Sequence, residues 1–281
     1  MEFEVLGPLS VRTGTRNTAP SAPKLRSVLA TLLVHADQIV PVSSLVRELW
    51  DDSPPISGRT TLQTYILNLR KLFASATGLS AAEVSRNLIV THAGGYGLKI
   101  DVRKLDLYKY HVLVSAGREA LSAGDDRAAV RHLNDALHLW RGPALVDVPV
   151  GCVLESKRRQ FEESRLVVLE YLLDAELRLG RHREVLTKLA ALTVENPLHE
   201  GLHAQYMRAL HLSGRRAQAL EMFHRLRGNL VTELGLEPES TVQRLHQSIL
   251  NSEDEFDAHM RMSRPSGEIV RSSAWGSVSG F

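Results

Sequence analysis

Three glycines set the register of the second half of this chain. Gly124, Gly180 and Gly214 close the runs Leu121-Ser122-Ala123-Gly124-Asp125, Leu177-Arg178-Leu179-Gly180-Arg181 and Leu210-His211-Leu212-Ser213-Gly214-Arg215. Six residues beyond each glycine stand Val130, Leu186 and Leu220; nine beyond, Leu133, Leu189 and Phe223; twelve beyond, Ala136, Leu192 and Leu226. The last two glycines are 34 residues apart, the tetratricopeptide period. A glycine that closes one helix, followed by apolar residues at helical spacing, describes helix pairs that bury their faces only by stacking. The first two glycines are 56 apart, so extra chain is inserted there, including the turn Trp140 to Leu145 with its aromatic anchor. An irregular helical bundle with chance self-similarity is the bland alternative, and the 34-residue register argues against it.

The first hundred residues have a different grammar. Glu2 to Val11 reads as short strands broken at Gly7-Pro8, with a turn at Thr13-Gly14-Thr15. Lys24 to Val34 is a helix with Leu25, Val28, Leu29, Leu32 and Leu33 on one face. A second helix follows Pro41, with Ser43 or Ser44 as the expected N-cap and Leu45, Val46, Leu49 and Trp50 inside. Asp51 to Gly58 is a loop, because two prolines and a glycine cannot continue that helix. A third helix runs from Gly58 to Phe73, its stripe of Leu62, Ile66, Leu69 and Phe73 spanning about 60° of arc. After a polar stretch from Gly78 to Asn87, Leu88 to Thr91 and Tyr96 to Ile100 read as two strands around the tight turn His92-Ala93-Gly94-Gly95. Three helices and a hairpin make a winged helix, in which the third helix enters the major groove and the hairpin rests on the backbone.

The outer face of that third helix carries Thr60, Thr64, Leu67, Asn68 and Lys71, flanked by Thr61, Gln63 and Arg70, with no acid. A merely solvated helix mixes both signs. Hydroxyls, amides and cations without acids match what base edges and phosphates require. Charge agrees in direction: residues 1–104 hold 12 Lys/Arg against 8 Asp/Glu, residues 105–250 hold 19 of each, and residues 251–281 hold 3 against 5.

Several classes are disfavoured. No apolar run approaches the roughly 18 residues of a membrane span, and Met1-Glu2-Phe3-Glu4 begins no signal peptide, so a cytoplasmic protein is expected. Cys152 is the lone cysteine, which rules out a disulfide framework and a cysteine-rich metal site. There is no phosphate loop of the Gly-x-x-x-x-Gly-Lys-Ser/Thr type. Gly94-Gly95-Tyr96-Gly97 joins two strands and opens no helix. His199 and His203 are four residues apart without the glutamate of a His-Glu-x-x-His site, so packing or capping is expected of them. No enzyme, cofactor or metal is expected.

The eight-residue loop before helix three, the leading strands and the residues Leu45 to Trp50, Arg59-Thr60-Thr61, Leu69-Arg70-Lys71 and Gly95-Tyr96 resemble the OmpR/PhoB-type winged helix. Farther on, Leu105-Asp106, Gly124-Asp125, Leu139 to Leu145, Leu179-Gly180-Arg181-His182, Asn196 to Glu200, Ser213 to Arg216 and Glu233-Leu234-Gly235 resemble the bacterial transcriptional activator domain. Together they resemble the Streptomyces antibiotic regulatory protein family. The expected fold is mainly α: a winged-helix DNA-binding domain over 1–104, tetratricopeptide-like helical repeats over 105–250, and a disordered tail over 251–281. The resemblance implies a pathway-specific transcriptional activator for an antibiotic gene cluster. It would bind tandem direct repeats near a promoter, two protomers side by side, and recruit RNA polymerase holoenzyme, with no membrane partner.

Carried onto this sequence, the resemblance makes Thr60, Gln63, Thr64, Asn68, Arg70 and Lys71 the DNA-binding set of helix three, with base contacts at Thr64 and Asn68 and phosphates held by Arg70 and Lys71. In the wing it adds Thr91 and His92, the histidine standing where the family commonly has arginine. Asp51, Asp52, Ser53, Pro54, Pro55, Ile56, Ser57 and Gly58 correspond to the polymerase-facing loop, and its two acids suit it poorly to DNA. The rival from another class is a tetratricopeptide-type peptide-binding scaffold whose N-terminal half is a platform that does not bind DNA.

Overall fold

Phe3 and Val11 face each other across an antiparallel strand pair and both are buried, which pins the register of the first sheet. In the computed structural model, β1 (Glu2–Glu4), β2 (Ser10–Thr13) and β3 (Arg16–Asn17) form that sheet in sequence order. The structure describes residues 1–262, with side chains through Asn251; the rest of the expected tail, residues 263–281, lies outside the described residues.

α1 (Pro23–Val34) buries Val28, Leu29, Leu32 and Leu33, the face its spacing predicts. β4 (Ile39–Pro41) was hidden in the sequence by its proline and by Ile39, which is exposed. It runs directly into α2 (Val42–Trp50), so the N-cap is Pro41 and neither Ser43 nor Ser44. The wing replaces the hydroxyl: the Val42 N–H donates to the Gly94 carbonyl at 2.9 Å. α3 (Gly58–Thr77) runs 20 residues and ends at Gly78, whose φ of 73° suits a glycine C-cap. The polar stretch expected after it contains α4 (Ala81–Asn87), held by a reciprocal capping box between Ser80 and Glu83 and by buried Val84. β5 (Ile89–His92) and β6 (Gly95–Leu98) form the hairpin, and β6 lies between β4 and β5 in an antiparallel sheet.

The helical half comprises α5 (Asp106–Ser122), α6 (Asp126–His138), α7 (Cys152–Arg178), α8 (His182–Glu195), α9 (Glu200–Leu212), α10 (Arg216–Leu234) and α11 (Ser240–Met262), the last passing residue 251 where the tail was expected to begin. Gly124, Gly180 and Gly214 end α5, α7 and α9 with φ of 75°, 78° and 76°. The residue after each donates its N–H five positions back, from Asp125 to Ala120, Arg181 to Glu176 and Arg215 to Leu210, at 2.9–3.0 Å. One turn geometry thus recurs three times, as the glycine register requires.

The chain divides into two compact units, Met1–Arg181 and the part from His182 onward. The expected boundary at 104/105 falls inside the first, and the expected 105–250 domain is shared between the two. Hydrogen bonds explain the first unit. The buried Asp106 carboxylate accepts from the backbone N–H groups of Val5 and Leu6 at 2.8–2.9 Å. The stretch between α6 and α7 lines the winged helix: Arg141 N–H donates to Leu6 O, Leu145 N–H to Val5 O, and Leu9 N–H to the Asp147 carboxylate. Arg26 Nη2 reaches the same carboxylate at 2.5 Å, and Ser27 Oγ donates to Pro149 O at 2.6 Å. A continuous buried cluster runs from Phe3 through Phe73 and Tyr110 to Val168 and Ala175.

In the second unit, the His199 side chain caps α9 and His203 is buried within it, the packing and capping roles expected of this pair. Phe223 stacks on His246 with ring centroids 3.9 Å apart. Arg216 donates to the carbonyls of Ile249 and Leu250.

Candidate nucleic-acid interface

α3 is amphipathic in the strict sense. Leu62, Ile66, Leu69 and Phe73 are each 1 % exposed or less, and side chains buried this fully contribute roughly 1.5–3 kcal/mol apiece. They anchor the helix against the winged-helix core, and the Tyr65 ring stacks on Trp50 of α2 at 6.5 Å. The opposite face is therefore held rigidly outward. Thr60, Gln63, Thr64, Leu67, Asn68 and Lys71 are all exposed on it, and the helix contains no Asp or Glu. Thr64 Oγ1 also donates back to Thr60 O at 3.1 Å.

Arg70 is placed differently from the rest. Expected on a phosphate, its half-buried guanidinium instead reaches β5: Nε and Nη2 donate to Ile89 O at 3.0 and 2.7 Å, and Nη2 to Thr91 Oγ1 at 2.8 Å. Burial lowers the pKa of this guanidinium, against an upward pull from Tyr96. Thr91 accordingly faces α3. His92 follows it in the strand and points to the other face, where its ring packs on Gly97 with Nε2 3.1 Å from where a Cβ would sit. The structure brings Arg70 and Thr91 together and separates His92 from both.

The loop from Asp51 to Ser57 is exposed throughout, and the Ile56 side chain is fully so. Asp51 leaves α2 at φ 55°, ψ −128°. Gly58, grouped with the loop in the sequence, is buried as the first residue of α3, where a Cβ would meet Trp50, Pro54 and Pro55 at 3.6–3.7 Å. Residues outside the expected DNA-binding set complete this side of the molecule. A groove between the start of α2, α3 and the wing turn is lined by Ser43, Arg59, Gln63, Gly94 and Tyr96. Arg59 carried a readable signal: a cation in the first turn opposes the helix dipole, so another interaction has to favour it there.

A three-helix winged helix with an acid-free third helix, built into one body with helical hairpins, defines a winged-helix transcription regulator. The comparisons agree. The bacterial transcriptional activator domain matches residues 105–250. The regulatory protein DnrI of Streptomyces peucetius is 43 % identical over 257 residues, covering 92 % of this chain and 94 % of DnrI. The regulatory protein AfsR of Streptomyces coelicolor is 35 % identical over 254 residues, covering 90 % of this chain but 24 % of AfsR. Among solved structures, Mycobacterium tuberculosis EmbR in complex with a low-affinity phosphopeptide superposes with a TM-score of 0.83 at 33 % identity; the match covers 89 % of this chain, which spans 65 % of the length of that one. The chain belongs to the Streptomyces antibiotic regulatory protein family. It is a transcriptional regulator, as these relatives are. Among the described residues no helix is long and apolar enough to cross a membrane.

Proposed function

We propose that this protein activates transcription of a secondary-metabolite gene cluster by binding tandem direct repeats near its promoter, two protomers side by side, and recruiting RNA polymerase holoenzyme. The observation that carries the reading is the exposed, acid-free face of α3 beside the hairpin. Thr64 and Asn68 read base edges from that face, Thr60 and Gln63 adjust the register, and Lys71 takes a phosphate. Thr91 belongs to the wing, and His92 approaches the backbone only from the wing's far side. Residues 51–57 face polymerase, with Ile56 as the apolar contact between Asp51-Asp52 and the start of α3. Membership of the Streptomyces antibiotic regulatory protein family supports the assignment to a biosynthetic cluster.

The test is a mobility shift on DNA upstream of the neighbouring operon, against a scrambled duplex, between 50 and 200 mM salt. Specific binding should weaken steeply with salt, with log K falling about 0.9 per phosphate neutralised for each unit of log salt. Equal affinity for both duplexes, or no binding at low salt, would overturn the reading. Run-off transcription then tests recruitment: Ile56→Asp should keep the shift and lose activation.

A further inference from the structure

We propose that Arg70 is a positioning residue that sets the spacing between the recognition helix and the wing, leaving Lys71 as the phosphate-bearing cation of this turn of α3. The proposal rests on the DNA-binding reading of α3 and the hairpin. β5 is an edge strand, because β6 is flanked by β4 and β5. Lys99 N–H donates to Leu88 O across the hairpin, so carbonyls on β5 alternate and Ile89 O points away from β6. That carbonyl is an open sheet edge, and the Arg70 fork closes it with two N–H groups. The same Nη2 holds Thr91 Oγ1 two residues on. One planar guanidinium therefore grips the wing strand at two points, which a lysine ammonium on a flexible stem cannot reproduce. Its root is rigid, because Arg70 follows buried Leu69. Lys71, the next residue, is exposed on the outward face. What the clamp fixes is where the Ala93-Gly94 tip meets the DNA backbone when α3 is seated in the groove.

The experiment compares Arg70→Lys, Arg70→Gln, Thr91→Val and Lys71→Gln by footprinting and by salt titration of specific affinity. Lys71→Gln should keep the footprint and flatten the slope of log K against log salt by about 0.9, one phosphate's worth. Arg70→Gln should leave that slope unchanged, lose protection on the wing side and weaken binding about tenfold. Arg70→Lys should behave like Arg70→Gln despite keeping its charge. Thr91→Val, which removes only the hydroxyl end of the clamp, should weaken binding about threefold. Hydrogen exchange on the DNA-free protein gives an independent readout: β5 and β6 amides should exchange at least tenfold faster in Arg70→Lys, with α3 unchanged. Full rescue by lysine, a slope loss of about 0.9 in Arg70→Gln, or unaltered exchange in the hairpin would overturn the proposal. Wild-type protein that shows no specific, salt-sensitive binding would instead overturn the DNA-binding reading, and the exchange result would then decide the clamp alone.

Discussion

The Glu48 carboxylate, on α2, is seated on the backbone of Gly151, at the start of α7. Oε1 accepts from the Gly151 N–H at 2.5 Å, and Oε2 from those of Val153 and Leu154 at 2.9 Å. These are amides of the first turn of a 27-residue helix, which has no acceptor of its own for them. A Cβ at position 151 would collide with the Glu48 carbonyl oxygen, so the approach requires glycine there.

Glu48→Ala should accordingly cost about 2–4 kcal/mol, since it strands three N–H groups at a partly buried helix start. Urea denaturation of the full chain measures this. A loss below about 0.5 kcal/mol would mean that water replaces the carboxylate.

Chain cut at residue 104 should not fold. It would lack the Asp106 acceptor for Val5 and Leu6 and the Asp147 acceptor for Leu9. A fragment of residues 1–181 retains every one of these bonds and should unfold cooperatively in urea. Equal cooperativity and stability for 1–104 would contradict the single-body reading.

Asp106 should make stability depend on pH. Burial pushes its carboxyl from 3.8 up to about 6, against the downward pull of the Leu6, Val5 and Leu107 N–H groups and of Arg141. A folded pKa above the unfolded one means that the folded state holds the proton more tightly. This contribution is therefore full below about pH 4 and lost as pH rises through about 6, by about 3 kcal/mol at most. Relative to Asp106→Asn, the wild type should be more stable at pH 4.5 than at pH 7. A pH-independent difference between the two would place the folded pKa near its unfolded value.

Leu67 is 49 % exposed amid Thr64, Asn68 and Lys71. An apolar side chain on a base-reading face fits the 5-methyl of thymine. Replacing thymine by deoxyuridine in the repeats should weaken wild-type binding by about 1 kcal/mol. Leu67→Ala should weaken binding and become indifferent to the replacement; continued sensitivity would assign the methyl contact elsewhere.

Asn68→Ala should cost about 1–3 kcal/mol on the specific site and broaden base preference at one position. Selection from a randomised duplex pool reads this directly, and an equal loss on random DNA would make Asn68 a backbone contact.

What the sequence disclosed follows from periodicity. The stripe Leu62, Ile66, Leu69 and Phe73 and the glycines at 124, 180 and 214 report on their own helices, and each lies where its spacing predicts. α4 was readable too, because Ser80 and Glu83 stand at capping-box spacing. Arg70, Glu48, Asp106 and Asp147 were not readable. Periodicity counts a charged residue as solvent-facing and free, whereas each of these hydrogen-bonds a backbone group distant in sequence. Glu48 meets its amides 103–106 residues away, and Asp106 meets Val5 across 101. The same long-range bonds explain why one compact unit runs across residue 104, although the activator-domain match begins at 105.

α2 is held at both ends. Its first N–H is bound to the wing turn at Gly94, and near its last turn Lys24 reaches Leu49 O while Glu48 grips α7. Its nine residues make a strut about 13 Å long, from which residues 51–57 project. Under the proposed division of labour, the DNA-seated wing and the polymerase-facing loop are both tied to one fixed strut, and the loop folds back along it, Ile56 sharing a pocket with Val42 and Ser43 at the wing end. Promoter architecture then has to comply: moving the repeats by half a helical turn relative to the polymerase site should silence activation, whereas a full turn should spare part of it.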